Sequence, residues 1–230
     1  MQDNIIYNLK NFLKGRPFLF ECVRWFLGGS RVGLSPKEAI KGVSGKIVNL
    51  GSGSQRIRKD VINLDIHSYH NVDIVGDIYN LPFADNEVDA IICDQVLEHL
   101  NSPAKALFEM ARALKPEGLI YIAAPFVAGY HSSPDDYYRF TGSGMIAIME
   151  SAGFSKIKSG IRQGPTSAFL SILDRWLALI LSFGSNKLYQ VFLMIFMWLT
   201  FPLKFIDYLI YRYGPAENIA FGFYYLGKKK

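Results

Sequence analysis

The chain has 230 residues, 50% apolar and 20% charged, which excludes a disordered polypeptide and supplies the core of one domain with room for an appendage. Cys22 and Cys93 stand far apart with no C-x-x-C spacing, which argues against a disulfide scaffold or thiolate zinc site and fits a reducing cytosol. The formal charge of +5 gathers at the ends: four basic and two acidic residues in 1–30, fourteen and fifteen in 31–164, seven and three in 165–230.

From the N-terminus, residues 1–14 mix Asp3, Asn4, Lys10 and Asn11 among apolar residues, so no secretory signal, cleavage or export is expected. Residues 1–30, rich in Phe, Trp and Leu, suggest one or two helices, and 1–45 reads as an N-terminal helical segment. Short apolar runs bounded by Gly, Asp, Asn or Pro then predict strands over 46–50, 61–65, 73–77, 88–94, 119–125 and 156–162. Leu107, Met110, Ala111 and Leu114 recur at helical spacing between Ser102-Pro103 and Pro116-Glu117-Gly118, which predicts a helix. A second helix is expected over 143–152, stopped by Gly153. After an apolar block over 166–213, alternation over 217–228 again reads as a strand. The expected fold is α/β, with a domain over 46–163 and 216–230 and a hydrophobic helical hairpin over 164–215 inserted before the last strand.

Chemistry concentrates at the strand ends. Gly51-Ser52-Gly53 follows the first strand, where two glycines let backbone approach a ligand without an intervening Cβ. Asp65 closes the second strand, where a carboxylate can accept hydrogen bonds from both ribose hydroxyls of a nucleoside. Asp77 and Asp94-Gln95 end the third and fourth strands, on the carboxyl edge where open α/β sheets bind ligands. Any one of these acids could equally cap a turn; their joint placement favours a site.

Asn49-Leu50-Gly51-Ser52-Gly53, Asn63-Leu64-Asp65, Gly76-Asp77, Leu81-Pro82-Phe83, Val88-Asp89, Gln95-Val96-Leu97-Glu98-His99-Leu100 and Leu114-Lys115-Pro116-Glu117-Gly118-Leu119 together resemble class I S-adenosylmethionine-dependent methyltransferases of type 11. The resemblance implies a Rossmann-like, seven-stranded, mostly parallel sheet with an antiparallel last strand. It also implies S-adenosylmethionine as cofactor. Gly51, Ser52 and Gly53 would pass beneath its methionine part, Asp65 with Ile66 beside it would hold the ribose, Asp77 and Ile78 would flank the adenine, and Asp94, Gln95 and His99 would line the donor side. Gln55 stands where the family has a third glycine, and 53–65 is too short for the usual first helix, so 54–60, with Arg56, Arg58 and Lys59, is expected as a turn. The missing third glycine also disfavours a nicotinamide dehydrogenase.

The stretch from Tyr130 to Thr141, dense in His, Asp, Tyr and Arg, resembles the H-x-x-x-D-Y-x-R-F-T segment of methyltransferases of bacterial surface-glycan assembly. The resemblance points to a sugar hydroxyl, free or on a lipid-linked intermediate, as acceptor. His131 is the candidate base, Asp135 or Asp136 could orient it, and Tyr137 joins His131 and Asp135 as a candidate catalytic residue. The alternative is that Asp135, Asp136 and Arg139 form an internal salt bridge shaping a lid, with His131 idle. His99 reads equally as a residue tying down its loop, and His67 and His70 as adenine rim or plain loop. The four histidines show no i, i+4 pairing, so no metal site is expected.

In the apolar block, sixteen uncharged residues over 188–203 would span about 24 Å as a helix, against a hydrocarbon core of roughly 30 Å. Both ends must return to one sheet, so the block crosses a membrane twice or not at all. With Gly184-Ser185-Asn186 as its turn and Trp176, Tyr189, Trp198, Tyr208 and Tyr211 at headgroup level, a hairpin dipped into one leaflet is expected. A helical cap or dimer interface is the alternative, and oligomers are compatible with it. The basic residues trace no continuous face, so nucleic acid is not an expected partner. The whole reads as a cytoplasmic enzyme, peripheral or monotopic on the inner face of a membrane; a catalytically degenerate binding module of the same fold is the rival.

Overall fold

The computed structural model describes residues 25–26, 28–131 and 134–230. The helices expected within 1–30 lie almost wholly outside the described residues. Seven strands form one sheet: β1 (Ile47–Leu50), β2 (Val61–Asp65), β3 (Ile74–Val75), β4 (Val88–Asp94), β5 (Leu114–Pro125), β6 (Phe154–Gln163) and β7 (Gly222–Lys229), in the order β3-β2-β1-β4-β5-β7-β6. β1 pairs in parallel with β2 and β4, β2 with β3 and β4 with β5, whereas β7 runs antiparallel to β5. This is the Rossmann-like sheet expected from the sequence, with the helical insertion before its last strand. Because the order reverses beside β1, the carboxyl ends of β1, β2 and β4 share one edge, where such sheets leave a crevice.

Two compact units divide the chain. The first, over 33–126, 130–162 and 222–230, contains the sheet apart from Gln163 at the end of β6. Ile40, Ile47, Val61, Ala90, Ile92, Tyr121, Ala123 and Tyr224 pack into one buried cluster. A short helix, α1 (Pro36–Ala39), starts on a capping box in which Ser35 and Glu38 satisfy each other's backbone amides. Helix α2 (Pro103–Ala113) buries Ala106, Leu107 and Met110, and α3 (Gly142–Ser151) starts on the Thr141 side chain, which accepts the Gly144 amide. Strand β5 begins earlier than its apolar run, because Lys115–Gly118 is absorbed as an irregularity between the Val88–Leu114 and Ala90–Leu119 pairs, with Glu117 at φ +62°. No helix joins β1 to β2. Arginines hold that crossover instead: Arg56 donates to the carbonyls of Val61 and Asn71 and to Asp73, and Arg58 to the carbonyls of Ile40 and Val43.

The second unit comprises the described residues of 25–32 together with 127–129 and 163–221. It is built on α4 (Pro165–Leu181) and α5 (Asn186–Thr200), which turn about Ser182–Ser185, followed by a 3-10 stretch, Phe201–Ile206, and α6 (Asp207–Ile210). It buries Ala168, Leu170, Ala178 and Leu193, but also an unusual number of polar groups. Ser30, Ser167, Asp174, Ser182, Gln190, Lys204 and Asp207 are buried, while Phe169, Ile172, Trp176, Leu179 and Phe183 form an outward stripe on and just beyond α4. Val191, Ile195, Trp198 and Leu199 do the same on α5. Asp207 accepts hydrogen bonds from the Thr166 and Ser167 amides and the Ser30 and Ser167 hydroxyls, and thereby caps α4. The helical run Asn186–Ile210 is long and apolar enough to cross a membrane.

Candidate cofactor and acceptor site

The turn after β1 needs glycine for two different reasons. Gly51, at φ +63°, faces Val96, and a Cβ there would lie 2.4 Å from Val96 Cγ2. Gly53, at φ +54°, faces open space, and a Cβ there would meet nothing within 4 Å. The first glycine closes the turn onto its neighbour; the second leaves a vacant approach to the backbone. Ser52 is buried between them and donates its amide to Leu64 of β2. Gln55 is tied in through its carbonyl, which accepts from Asn63 Nδ2 at 2.8 Å.

Asp65, 8% exposed, is fixed through both oxygens: Oδ2 accepts the Gly53 amide at 2.8 Å and Oδ1 the His67 amide at 3.0 Å. Each oxygen keeps a lone-pair site for a further donor, as a vicinal diol requires. Ile66, directly after it, is 64% exposed, an apolar surface beside that carboxylate. Asp77 is exposed and turns back onto the Tyr79 amide at 2.9 Å, with Ile78 half-buried beside it. His67 and His70 are exposed.

At the end of β4 the structure separates two neighbours. Asp94 Oδ2 lies 3.3 Å from Arg162 Nη2, so part of this carboxylate is committed to β6, while Oδ1 is buried without a hydrogen-bond partner. Gln95 takes φ +62°, an uncommon conformation for a non-glycine residue, and its buried Nε2 has no hydrogen-bond partner. A strained residue presenting an unsatisfied donor at the carboxyl edge is a local feature that a bound polar group would relieve. Cys93, in the same strand, is fully buried, and that burial pushes its thiol well up, so it is no nucleophile.

Beyond β4, a 3-10 turn, Leu97–His99, drives Glu98 into the interior with both carboxylate oxygens lacking a hydrogen-bond partner. The loop after β5 closes over it: the amides of Tyr137 and Tyr138 donate to the Glu98 carbonyl at 2.7 and 3.2 Å, and Phe140 to the Pro125 carbonyl at 2.8 Å. His131 Nε2 and His99 Nε2 lie 3.5 and 3.8 Å from Glu98 Oε1, their rings 5.1 Å apart and nearly perpendicular. The carboxylate beside His131 is that of Asp136, with Oδ2 3.6 Å from Nδ1 and accepting the His131 amide at 2.9 Å. Asp135 is turned elsewhere: its carboxylate accepts the Tyr137 hydroxyl at 3.1 Å, and its carbonyl lies 2.6 Å from His99 Nδ1. Burial raises the Asp136 pKa, but the Arg139 fork and the His131 amide outweigh it and hold that carboxyl at about 2. The expected Asp136–Arg139 ion pair therefore exists, and it braces the loop that carries His131.

Sequence reading brought Gly51, Ser52, Gly53, Asp65, Gln95, His99 and His131 to this edge. It passed over Glu98, a lone acid between Leu97 and His99 whose burial no local pattern discloses, and over Arg162, which reaches Asp94 only through the sheet order.

Residues 50–122 match the sequence profile of a methyltransferase domain, a stretch running from the last residue of β1 into β5. A demethylmenaquinone methyltransferase of Renibacterium salmoninarum is 48% identical over 50 residues, 22% of this chain and 21% of that protein. An uncharacterized 37.1 kDa transposon protein of Streptomyces fradiae is 32% identical over 85 residues, 36% of this chain and 24% of its own length. The matched segments thus span a quarter or less of these curated relatives. Among solved structures, the [4+2]-cyclase SpnF superposes with TM-score 0.56 at 14% identity over 96% of this chain and 94% of its own. Phosphoethanolamine N-methyltransferase 2 of Haemonchus contortus, solved with S-adenosylmethionine, gives 0.55 at 16% identity over 96% of this chain and 59% of its own. Residues 50–122 thus resemble a methyltransferase domain by sequence, within a sheet whose Rossmann-like fold those solved structures share.

Proposed function

We propose that the chain transfers a methyl group from S-adenosylmethionine to a hydroxyl of a polar acceptor, a saccharide or lipid-linked glycan intermediate, at a membrane surface. The observation that carries the first half is the cradle formed by the Gly53 amide, the open space before Gly53 and the doubly anchored Asp65 carboxylate. These residues fit the cofactor: Asp65 accepts the ribose hydroxyls, Ile66 offers apolar surface to the adenine, and the glycine turn admits the methionine part. When bound, S-adenosylmethionine supplies an electrophilic methyl on a sulfonium.

Since charge is cancelled in such a transfer, the protein's work is to align the acceptor and exclude water. A fold of this kind does not itself select a reaction, so the acceptor must be read from the site. The polar cluster of Glu98, His99, His131, Asp136 and Tyr137 supports a hydroxyl, which needs help to lose its proton, over a free amine. The exposed apolar stripes of the helical unit support a lipid surface, because such stripes on α4 and α5 suit hydrocarbon better than water.

The test is calorimetric titration of the purified chain with S-adenosylmethionine, S-adenosylhomocysteine and NAD, followed by methyl-labelled donor and membrane extracts. Binding of the first two without NAD, with label in a base-stable glycan or glycolipid fraction, is the expected result. A folded chain silent toward all three would reverse the proposal in favour of a binding module.

A further inference from the structure

We propose that Glu98, His99 and His131 bind a divalent transition-metal ion that takes the acceptor hydroxyl as a further ligand. The site itself stands on its own geometry; the ion's role in the reaction rests on the methyl-transfer reading above. Sequence spacing gives no hint of this, because Glu98 and His99 are adjacent and His131 comes from the loop after β5.

The donor atoms of these three residues all lie within 4.8 Å of one another. Glu98 is fully buried, and neither carboxylate oxygen has a hydrogen-bond partner. A buried carboxylate without donors is costly unless a cation compensates it, and Arg139 acts on Glu98 only through space while its guanidinium is paired with Asp136. The two imidazoles face it at 3.5 and 3.8 Å. The 3.5 Å separation, long for a hydrogen bond, matches the spacing of about 3–3.5 Å that follows for donors sharing one ion at about 2.1 Å, and the 3.8 Å one needs a closure of a few tenths of an ångström.

The outer contacts agree. A carbonyl only accepts, so His99 Nδ1, 2.6 Å from the Asp135 carbonyl, carries the proton and leaves the Nε2 lone pair toward Glu98. Asp136, held by Arg139, sits 3.6 Å from His131 Nδ1, close enough to attract that edge of the ring but beyond hydrogen-bond distance, and His131 Nε2 is the nitrogen nearer Glu98. The carbonyl partner on the far nitrogen of His99 is the kind a metal-ligating histidine keeps. Two imidazoles and one carboxylate favour Zn2+, Mn2+ or Fe2+ over Mg2+ or Ca2+, which prefer all-oxygen sets, and three protein ligands leave positions open. An acceptor hydroxyl in an open position would have its pKa lowered and would release its proton to solvent, and His131 then acts through the ion rather than as a free base.

The full chain, stripped with a chelator and shown folded by circular dichroism, is titrated with Co2+ and Zn2+, alongside Glu98→Gln and His131→Asn. One ion per chain with a visible Co2+ ligand-field band is expected, at least about tenfold weaker in each variant. No uptake by the folded wild type, or equal uptake in all three, would overturn the site. Should the variants misfold, histidine 15N spectra of the wild type decide: Zn2+ must shift His99 and His131 and spare His67 and His70, and uniform or absent shifts refute it. Donor titration of the same samples reads the methyltransferase proposal separately, since Gly53 and Asp65 do not belong to this cluster.

Discussion

The amide of Gly53 donates a 2.8 Å hydrogen bond to Oδ2 of Asp65, so the turn after β1 and the end of β2 are one construction. The Asp65 carboxylate is positioned by the same backbone that leaves open space in front of Gly53. Asp65→Ala removes both the ribose acceptor and the partner of that amide. Loss of charge-assisted bonds worth about 2–3 kcal/mol should weaken S-adenosylmethionine binding on the order of 100-fold, measured by calorimetry on a folded variant. Unchanged affinity would remove Asp65 from the site.

The two glycines of the turn should respond differently to alanine. In Gly51→Ala the new Cβ meets Val96 at 2.4 Å as well as a left-handed backbone, and a stability loss of about 1–3 kcal/mol is expected. Gly53→Ala has the backbone cost alone, roughly 1 kcal/mol, but its Cβ enters the open space that the proposal gives to the cofactor. Thermal melts should rank Gly51→Ala as the less stable variant. Donor titrations of samples matched for folded fraction should show weakened binding in Gly53→Ala; the opposite melting order contradicts this reading of the turn.

Asp136 makes the acceptor loop acid-sensitive. Its folded pKa of about 2 lies below the ordinary carboxylate value, so its contribution is complete above about pH 5 and is lost as pH falls through about 2. At neutral pH that contribution is on the order of 2 kcal/mol. Urea melts of wild type and Asp136→Asn should therefore converge between pH 5 and pH 2; curves that stay parallel would show that the ion pair with Arg139 adds no net stability.

Asp207 supplies the N-terminal cap of α4 from 41 residues beyond Thr166. Gly164, the residue before the helix, has no side chain to serve, and a Cβ there would strike Asp207 Cγ at 2.3 Å. Asp207→Ala strands the Thr166 and Ser167 amides and should destabilise the helical unit by about 2–3 kcal/mol, with Asp207→Asn recovering part of it. Amide exchange in α4 is the readout, and unchanged protection would refute the cap.

The outward stripes of α4 and α5 predict lipid binding. The chain should float with phospholipid vesicles and its tryptophan emission should shift to the blue, since Trp176 and Trp198 are exposed. Replacing both by Ser should weaken flotation by several-fold. A monodisperse chain that ignores vesicles would assign the stripes to a protein contact instead.

Strand and helix placement were legible in the residues themselves, because burial imposes a period and turns demand Gly, Pro, Asn or Asp. The expected spans over 61–65 and 88–94 coincide with β2 and β4, whereas the strand expected over 217–228 begins only at Gly222 because Gly214–Ile219 winds as a 3-10 helix. Gly51, Gly53 and Asp65 could be singled out because they lie within one β-turn-β unit. The sheet edge was harder: β3 shrinks to Ile74–Val75, where pairing on one side only limits its length. The acceptor side depended on three dimensions. Whether Asp135 or Asp136 faces His131, whether Glu98 is buried, and that Arg162 reaches Asp94 follow from where β5 returns its loop and where β6 lies in the sheet. Local sequence carries backbone preference and periodicity; which polar groups meet is decided by packing between distant segments, and the chemistry of this site lies in those meetings.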